Sequence, residues 1–158
     1  MKLEPVVSPN LPEWIKDHLT RYIESDGEDG YWWDPAVSIG RPDLNKVPIL
    51  LLTTVGRKSG KITTVPLIFG KSGESYVVLG TKGGSPTHPA WYLNLLANPE
   101  VGLQVKAVRC LARARRAEGK EREALWKMMT GFWPLYEKQV EATDREIPVV
   151  VLDPVRRS

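Results

Sequence analysis

Residues 47–70 read VPILLLTTVGRKSGKITTVPLIFG, and residues 71–105 continue KSGESYVVLGTKGGSPTHPAWYLNLLANPEVGLQV. Three apolar, β-branched runs stand here with sharp punctuation: Ile49 to Thr54, Ile62 to Phe69 and Ser75 to Thr81. Each has strand length and is bounded by Gly or Ser. Lys71-Ser72-Gly73-Glu74 is a hairpin signal. Between the first two runs lies Gly56-Arg57-Lys58-Ser59-Gly60-Lys61, a turn with two glycines and three cations. Its backbone N–H groups and its Arg and Lys side chains can hold an anion together. Polar turns are commonly just solvated, and the GxxxxGK[ST] spacing of a Walker loop is not met.

A second Gly-rich cationic segment, Thr81-Lys82-Gly83-Gly84, favours the functional reading. Ser85 to Pro89 and the amphipathic run Ala90 to Pro99 follow it. Pro89 suits the first turn of a helix, and Asn98-Pro99 ends one. Two cationic, flexible edges beside a helix start make a site for a polyanionic ligand.

The stretches GRKSGKITTVPL, TKGGSPTHPAWYLNLLANPEV and TDREIPVVVL, in this order between Pro48 and Pro154, resemble the deazaflavin (F420)-dependent nitroreductase and quinone reductase family. The resemblance implies a split β-barrel of the FMN-binding type and use of reduced coenzyme F420. It also implies hydride delivery to quinones, activated alkenes or nitro compounds. Carried over by position, Arg57, Lys58 and Ser59 meet the coenzyme's phosphate and oligoglutamate tail. Thr63, Thr64, Val65, Pro66, Leu67 and Ile68 run along the deazaflavin and ribityl part, with backbone groups of Val65 and Leu67 reading the ring edge. Leu79, Gly80, Thr81 and Lys82, with Gly83, form the opposite wall. Ala90, Trp91, Tyr92 and Asn94 close the far side, and His88 is placed to orient a phosphate. Tyr136 is the candidate catalytic residue, hydrogen-bonding the acceptor in a substrate pocket shared with Trp133. Better-known members resembling this chain carry three tyrosines where Trp133, Tyr136 and Gln139 stand. That departure turns the expectation from nitroimidazoles toward quinones and enones. Two alternatives stay open: an FMN-dependent oxidoreductase on the same barrel, and a non-catalytic deazaflavin-binding protein.

The rest of the chain agrees with a single domain over residues 1–158. Hydrophobic content of 42% and charged content of 26% are ordinary for a globular protein. The lone Cys110 and two distant histidines, His18 and His88, give no disulfide and no metal cluster. A net charge of +3 suits an anionic ligand, a nucleic acid or an acidic membrane surface equally, but the absence of one dominant basic run with interleaved aromatics argues against nucleic acid; the small-molecule electron acceptor is what the resemblance implies. No signal segment or membrane span is legible, so a cytoplasmic location is expected, with a monomer or weak dimer. Residues 1–10 read as a loosely held leader. Leu11 to Glu24 has helical apolar spacing; an interfacial membrane anchor shares that pattern, but the mixed charges favour packing on the domain.

Ser25 to Asn45 reads as loop, with Tyr31-Trp32-Trp33 either capping the barrel or lining a pocket mouth. Val101 to Val105 and Val108 to Ala114 alternate as strands, with Cys110, Ala112 and Ala114 inward and Arg113, Arg115 and Arg116 on a solvated face. Glu118 to Met129 and Trp133 to Ala142 read as helices. Ile147 to Leu152 is a central strand ended by Asp153-Pro154. The pattern gives about six strands, mostly antiparallel, with peripheral helices.

Overall fold

A computed structural model describes residues 3–157, apart from the surroundings of Gly83 and of the Arg156 and Arg157 side chains. In chain order the elements are α1 (Glu13–Glu24), β1 (Trp32–Trp33), α2 (Pro35–Ser38), β2 (Val47–Val55), β3 (Ile62–Ile68), β4 (Gly70–Ser72) and β5 (Ser75–Leu79). A 3-10 turn (Lys82–Gly84), α3 (Ala90–Ala97), β6 (Glu100–Val105), β7 (Val108–Arg116), α4 (Gly119–Phe132), α5 (Leu135–Glu141) and β8 (Val149–Arg157) follow.

All strand pairings are antiparallel, in the order β1-β2-β6-β7-β8-β5-β4, with β3 also on β2. Only Phe69 separates β3 from β4. One bent strand thus pairs with β2 through its first half and with β5 through its second, and the sheet curls into the expected split β-barrel. The bend is tight: a Cβ on Gly70 would stand 2.6 Å from Met129 Sδ on α4.

The apolar runs are long because both faces of the barrel wall are buried. Leu50 and Leu52 of β2, Val78 of β5, and Val150 and Leu152 of β8 fill the interior with Trp91 and Tyr92 of α3. Their neighbours Val77, Leu79, Val149 and Val151 face outward under Leu125 and Met129 of α4 and Tyr136 of α5. Ile49 and Leu51 pack under Leu19 and Tyr22 of α1.

The sheet has eight strands. The additional ones, β1 and β4, are two and three residues long, too short to show a period. The loop expected over Ser25 to Asn45 contains β1 and α2. β8 does not stop at Asp153-Pro154. It runs to Arg157, and a register shift between Leu111 and Ala112 accommodates the proline opposite Ala112. Nor is the described part of the leader loose. Leu3 is buried, the Val6 N–H donates to Thr64 Oγ1 at 2.9 Å, and Glu4 pairs with Arg109. Met1 and Lys2 lie outside the described residues. Arg115 and Arg116 are not merely solvated: Arg115 bridges Glu121 and Asp153, and Arg116 pairs with Glu146.

Candidate functional site

The turn between β2 and β3 is fixed from within and from α3. The Gly56 N–H donates to the Lys61 carbonyl at 2.8 Å, and the Lys61 N–H donates to Ser59 Oγ at 3.1 Å. Gly60 takes φ +71°, where a side chain would be strained. Asn94, buried on α3, accepts from the backbone N–H and Nη1 of Arg57 at 3.2 Å each, and donates to Thr54 Oγ1 at 3.1 Å. Asn94 therefore positions the turn. Arg57, Lys58 and Ser59 remain exposed on it.

β3 runs from this turn along the split. Among the described residues it pairs with β2 alone, so half of its backbone polar groups point away from the sheet. Thr64 is buried and bonded to Thr53 Oγ1 at 2.8 Å. Thr63, Val65, Pro66, Leu67 and Ile68 are half-buried.

The opposite wall is held by a residue that pattern reading missed. Arg145 donates through Nη1 to the Gly80 carbonyl (3.0 Å), through Nη2 to the Thr81 carbonyl (2.7 Å) and through Nε to the Ser85 carbonyl (2.8 Å). Its Nη1 also meets His88 Nδ1 at 3.2 Å. One guanidinium thus shapes residues 80–88. The available signal was its place in TDREIPVVVL, but its partners are carbonyls and a histidine remote in sequence. Burial pulls its pKa down, yet a guanidinium stays charged. Lys82 Nζ donates to Thr87 Oγ1 at 3.2 Å. Leu79 is buried toward α5, and α5 covers the 3-10 turn, where Gln139 O would be 2.7 Å from a Cβ on Gly84. Ala90 is exposed; Trp91 and Tyr92 are barrel core. Gly83 lies in the 3-10 turn between Lys82 and Gly84.

Arg21, Arg41, Arg109, Arg115, Arg116 and Arg122 all lie in ion pairs. Among the described residues no carboxylate comes within ion-pair distance of Arg57, Lys58, Lys61, Lys82 or Arg145. Arg57 and Arg145 bond to neutral amide and carbonyl groups instead. The donor set suits a ligand with several negative charges.

Trp133 and Tyr136 are placed in the core under α4 and α5, 3% and 4% exposed. Burial pushes the Tyr136 hydroxyl's pKa well above its ordinary value. Trp133 packs edge-on against Trp33, with ring centroids 5.6 Å apart, so Trp33 joins the outer clusters under α4 and α1, while Trp32 is exposed. An open cavity of about 680 Å³ lies beside the C-terminal end of α4, lined by Tyr31, Leu44, Lys71, Phe132 and Pro134 among others. Neither Trp133 nor Tyr136 lines it. Of the aromatic triplet, Tyr31 reaches a pocket mouth. No described helix is long and apolar enough to cross a membrane.

Comparisons with known proteins converge on one family. A profile for F420H(2)-dependent quinone reductases matches residues 15–154. An F420H(2)-dependent quinone reductase of Mycobacterium tuberculosis is 35% identical over 108 residues, covering 66% of this chain and 72% of that protein. A solved F420-H2 dependent reductase superposes with TM-score 0.62 at 42% identity, over 67% of this chain and 94% of that one. A domain-swapped dimer superposes at TM-score 0.65 and 35% identity, over 92% of this chain and 100% of that one. The chain belongs to the F420H2-dependent quinone reductase family: it is an F420H2-dependent reductase, and its coenzyme is reduced F420.

Proposed function

We propose that the acceptor is a quinone or an activated alkene such as a cyclic enone, with nitro compounds reduced poorly. The observation that carries the coenzyme's placement is the gathering of Arg57, Lys58, Lys61, Lys82 and Arg145 at one end of the barrel, none of them with a carboxylate within ion-pair distance among the described residues. Bound reduced deazaflavin supplies a hydride rather than single electrons. In this reading Arg57 and Lys58 hold the phosphate and tail, and Asn94 keeps their turn in register. The open edge of β3 offers backbone donors and acceptors to the ring, and Gly80 to Lys82 form the facing wall. Tyr136 is the candidate hydrogen-bond donor to the acceptor's oxygen, with Trp133 beside it, although both side chains stand buried under α4 and α5. The reacting atoms have to be brought to within about 3–3.5 Å of one another. The enzyme acts as a monomer or weak dimer in the cytoplasm, a reducing compartment that suits the buried thiol of Cys110.

Steady-state turnover with reduced F420 and three acceptors tests the acceptor class. Menadione and 2-cyclohexenone should each be reduced with kcat/KM well above that of a nitroimidazole. A nitroimidazole that outpaced both would overturn the assignment.

A further inference from the structure

His88 precedes α3, half-exposed at the rim of the wall that Arg145 shapes. Its ring packs against Tyr92, with centroids 5.0 Å apart. Nδ1 lies 3.2 Å from Arg145 Nη1. A guanidinium has donors and no acceptor, so Nδ1 accepts. A neutral imidazole that accepts at Nδ1 carries its proton on Nε2. Nε2 has no hydrogen-bond partner among the described residues.

The charged groups around the ring oppose a second proton. Arg145 bonds to it directly, and Arg116, beside Tyr92 and paired with Glu146, is close enough to act on it. Lys82 holds the neighbouring Thr87. Burial, Arg145 and Arg116, in that order, pull the His88 pKa below the ordinary histidine value. At neutral pH the ring is therefore a neutral, oriented N–H donor at a cationic edge.

We propose that His88 contacts the coenzyme directly, donating Nε2–H to a phosphate oxygen, and that Arg145 is the positioning residue that fixes its tautomer and aim. This rests on the functional reading above, in which the coenzyme's anionic part lies between the two cationic edges. The contact adds a neutral, directed donor to a site whose cations act through charge. The Arg145 fork is anchored on three carbonyls and turns only one of its edges to His88, so its role runs through the imidazole.

Glutamine and asparagine separate the two ring positions. A Gln amide reaches about where Nε2 stands, whereas an Asn amide ends near Nδ1. Equilibrium titration with oxidised coenzyme, long-tailed and tail-less, should give His88→Gln an affinity close to the parent. His88→Asn should bind roughly tenfold more weakly, the loss of one hydrogen bond to a charged group. The loss should be equal for both coenzyme forms; a loss confined to the long-tailed form would place His88 on the tail and overturn the phosphate contact. Independently, ¹⁵N NMR of the coenzyme-free protein should show His88 protonated on Nε2 and bare on Nδ1 at pH 7, and Arg145→Lys should mix the tautomers. The opposite tautomer, or equal affinities in the Gln and Asn variants, would overturn the inference while leaving the coenzyme assignment standing. A parent protein that bound no coenzyme would overturn both.

Discussion

Arg57 and Asn94 meet across the end of the barrel, where the backbone N–H and Nη1 of Arg57 both donate to Asn94 Oδ1 at 3.2 Å. A buried amide on α3 thereby sets the position of an exposed cation on the β2–β3 turn. Asn94→Leu removes this anchor and leaves buried Thr54 without its donor. We expect a stability loss of about 1–3 kcal/mol, the cost of orphaned buried polar groups. Amide exchange across residues 56–61 should accelerate and coenzyme affinity should fall. Denaturant melts and hydrogen exchange check this; an unchanged exchange rate in the turn would show that Asn94 does not hold it.

Lys58 is exposed at the tip of the same turn and has no carboxylate within ion-pair distance among the described residues. Lys58→Ala should weaken binding of long-tailed coenzyme more than of tail-less coenzyme. The difference should shrink in high salt, because exposed charges are screened over about 8 Å at physiological ionic strength. Titrations at two salt concentrations decide it, and equal affinities for parent and variant would reduce the turn to a solvated loop.

Tyr136 offers a test in which stability and activity part. Its hydroxyl is carried into the core of the α4–α5 cluster. Tyr136→Phe keeps the ring and removes a buried polar group, so thermal stability should hold or rise. If the hydroxyl serves the acceptor, kcat/KM with an enone should fall roughly tenfold, equal to about 1.4 kcal/mol. Unchanged kcat/KM would leave Tyr136 as packing alone.

The two core tyrosines also set an alkaline limit. Burial raises the pKa of both Tyr22 and Tyr136 in the folded state. A raised folded pKa means that stability is complete below the unfolded tyrosine value, about 10, and is lost as pH climbs above it toward the folded values. Melting temperature should therefore be flat on the alkaline side up to about pH 10 and fall beyond it. The fall should be smaller in Tyr136→Phe. A variant with the parent's alkaline profile would contradict this attribution.

Much of this architecture was legible because burial on both faces leaves a strong mark. β2, β3, β5 and β8 announce themselves as Val, Ile, Leu and Thr runs, and the glycine-bounded cations announce the turn at Arg57. β1 and β4 were not legible, since two or three residues carry no period. β8 continued past Pro154 because it bulges there: Leu111 and Ala112 of β7 face Arg156 and Pro154, which leaves Val155 of β8 without a partner, and an Asp-Pro pair reads as a strand end rather than as such a bulge. Arg145 escaped notice because its partners are backbone carbonyls, which any residue could supply. The placement of Tyr136 depended on whether α5 faces the core or the split, and a short helix with a single buried tyrosine does not encode that choice.

The central claim is that reduced deazaflavin, held at the cationic end of the barrel, is the hydride source for a quinone. It is tested most directly by turnover of menadione by the purified protein, with reduced F420 in one reaction and NADPH, with and without FMN, in others. The strands here lead into no GxGxxG turn for a dinucleotide. Oxidation of reduced F420 should match menadione reduction one for one, and NADPH should support none. Turnover with NADPH and FMN comparable to that with reduced F420 would contradict the account.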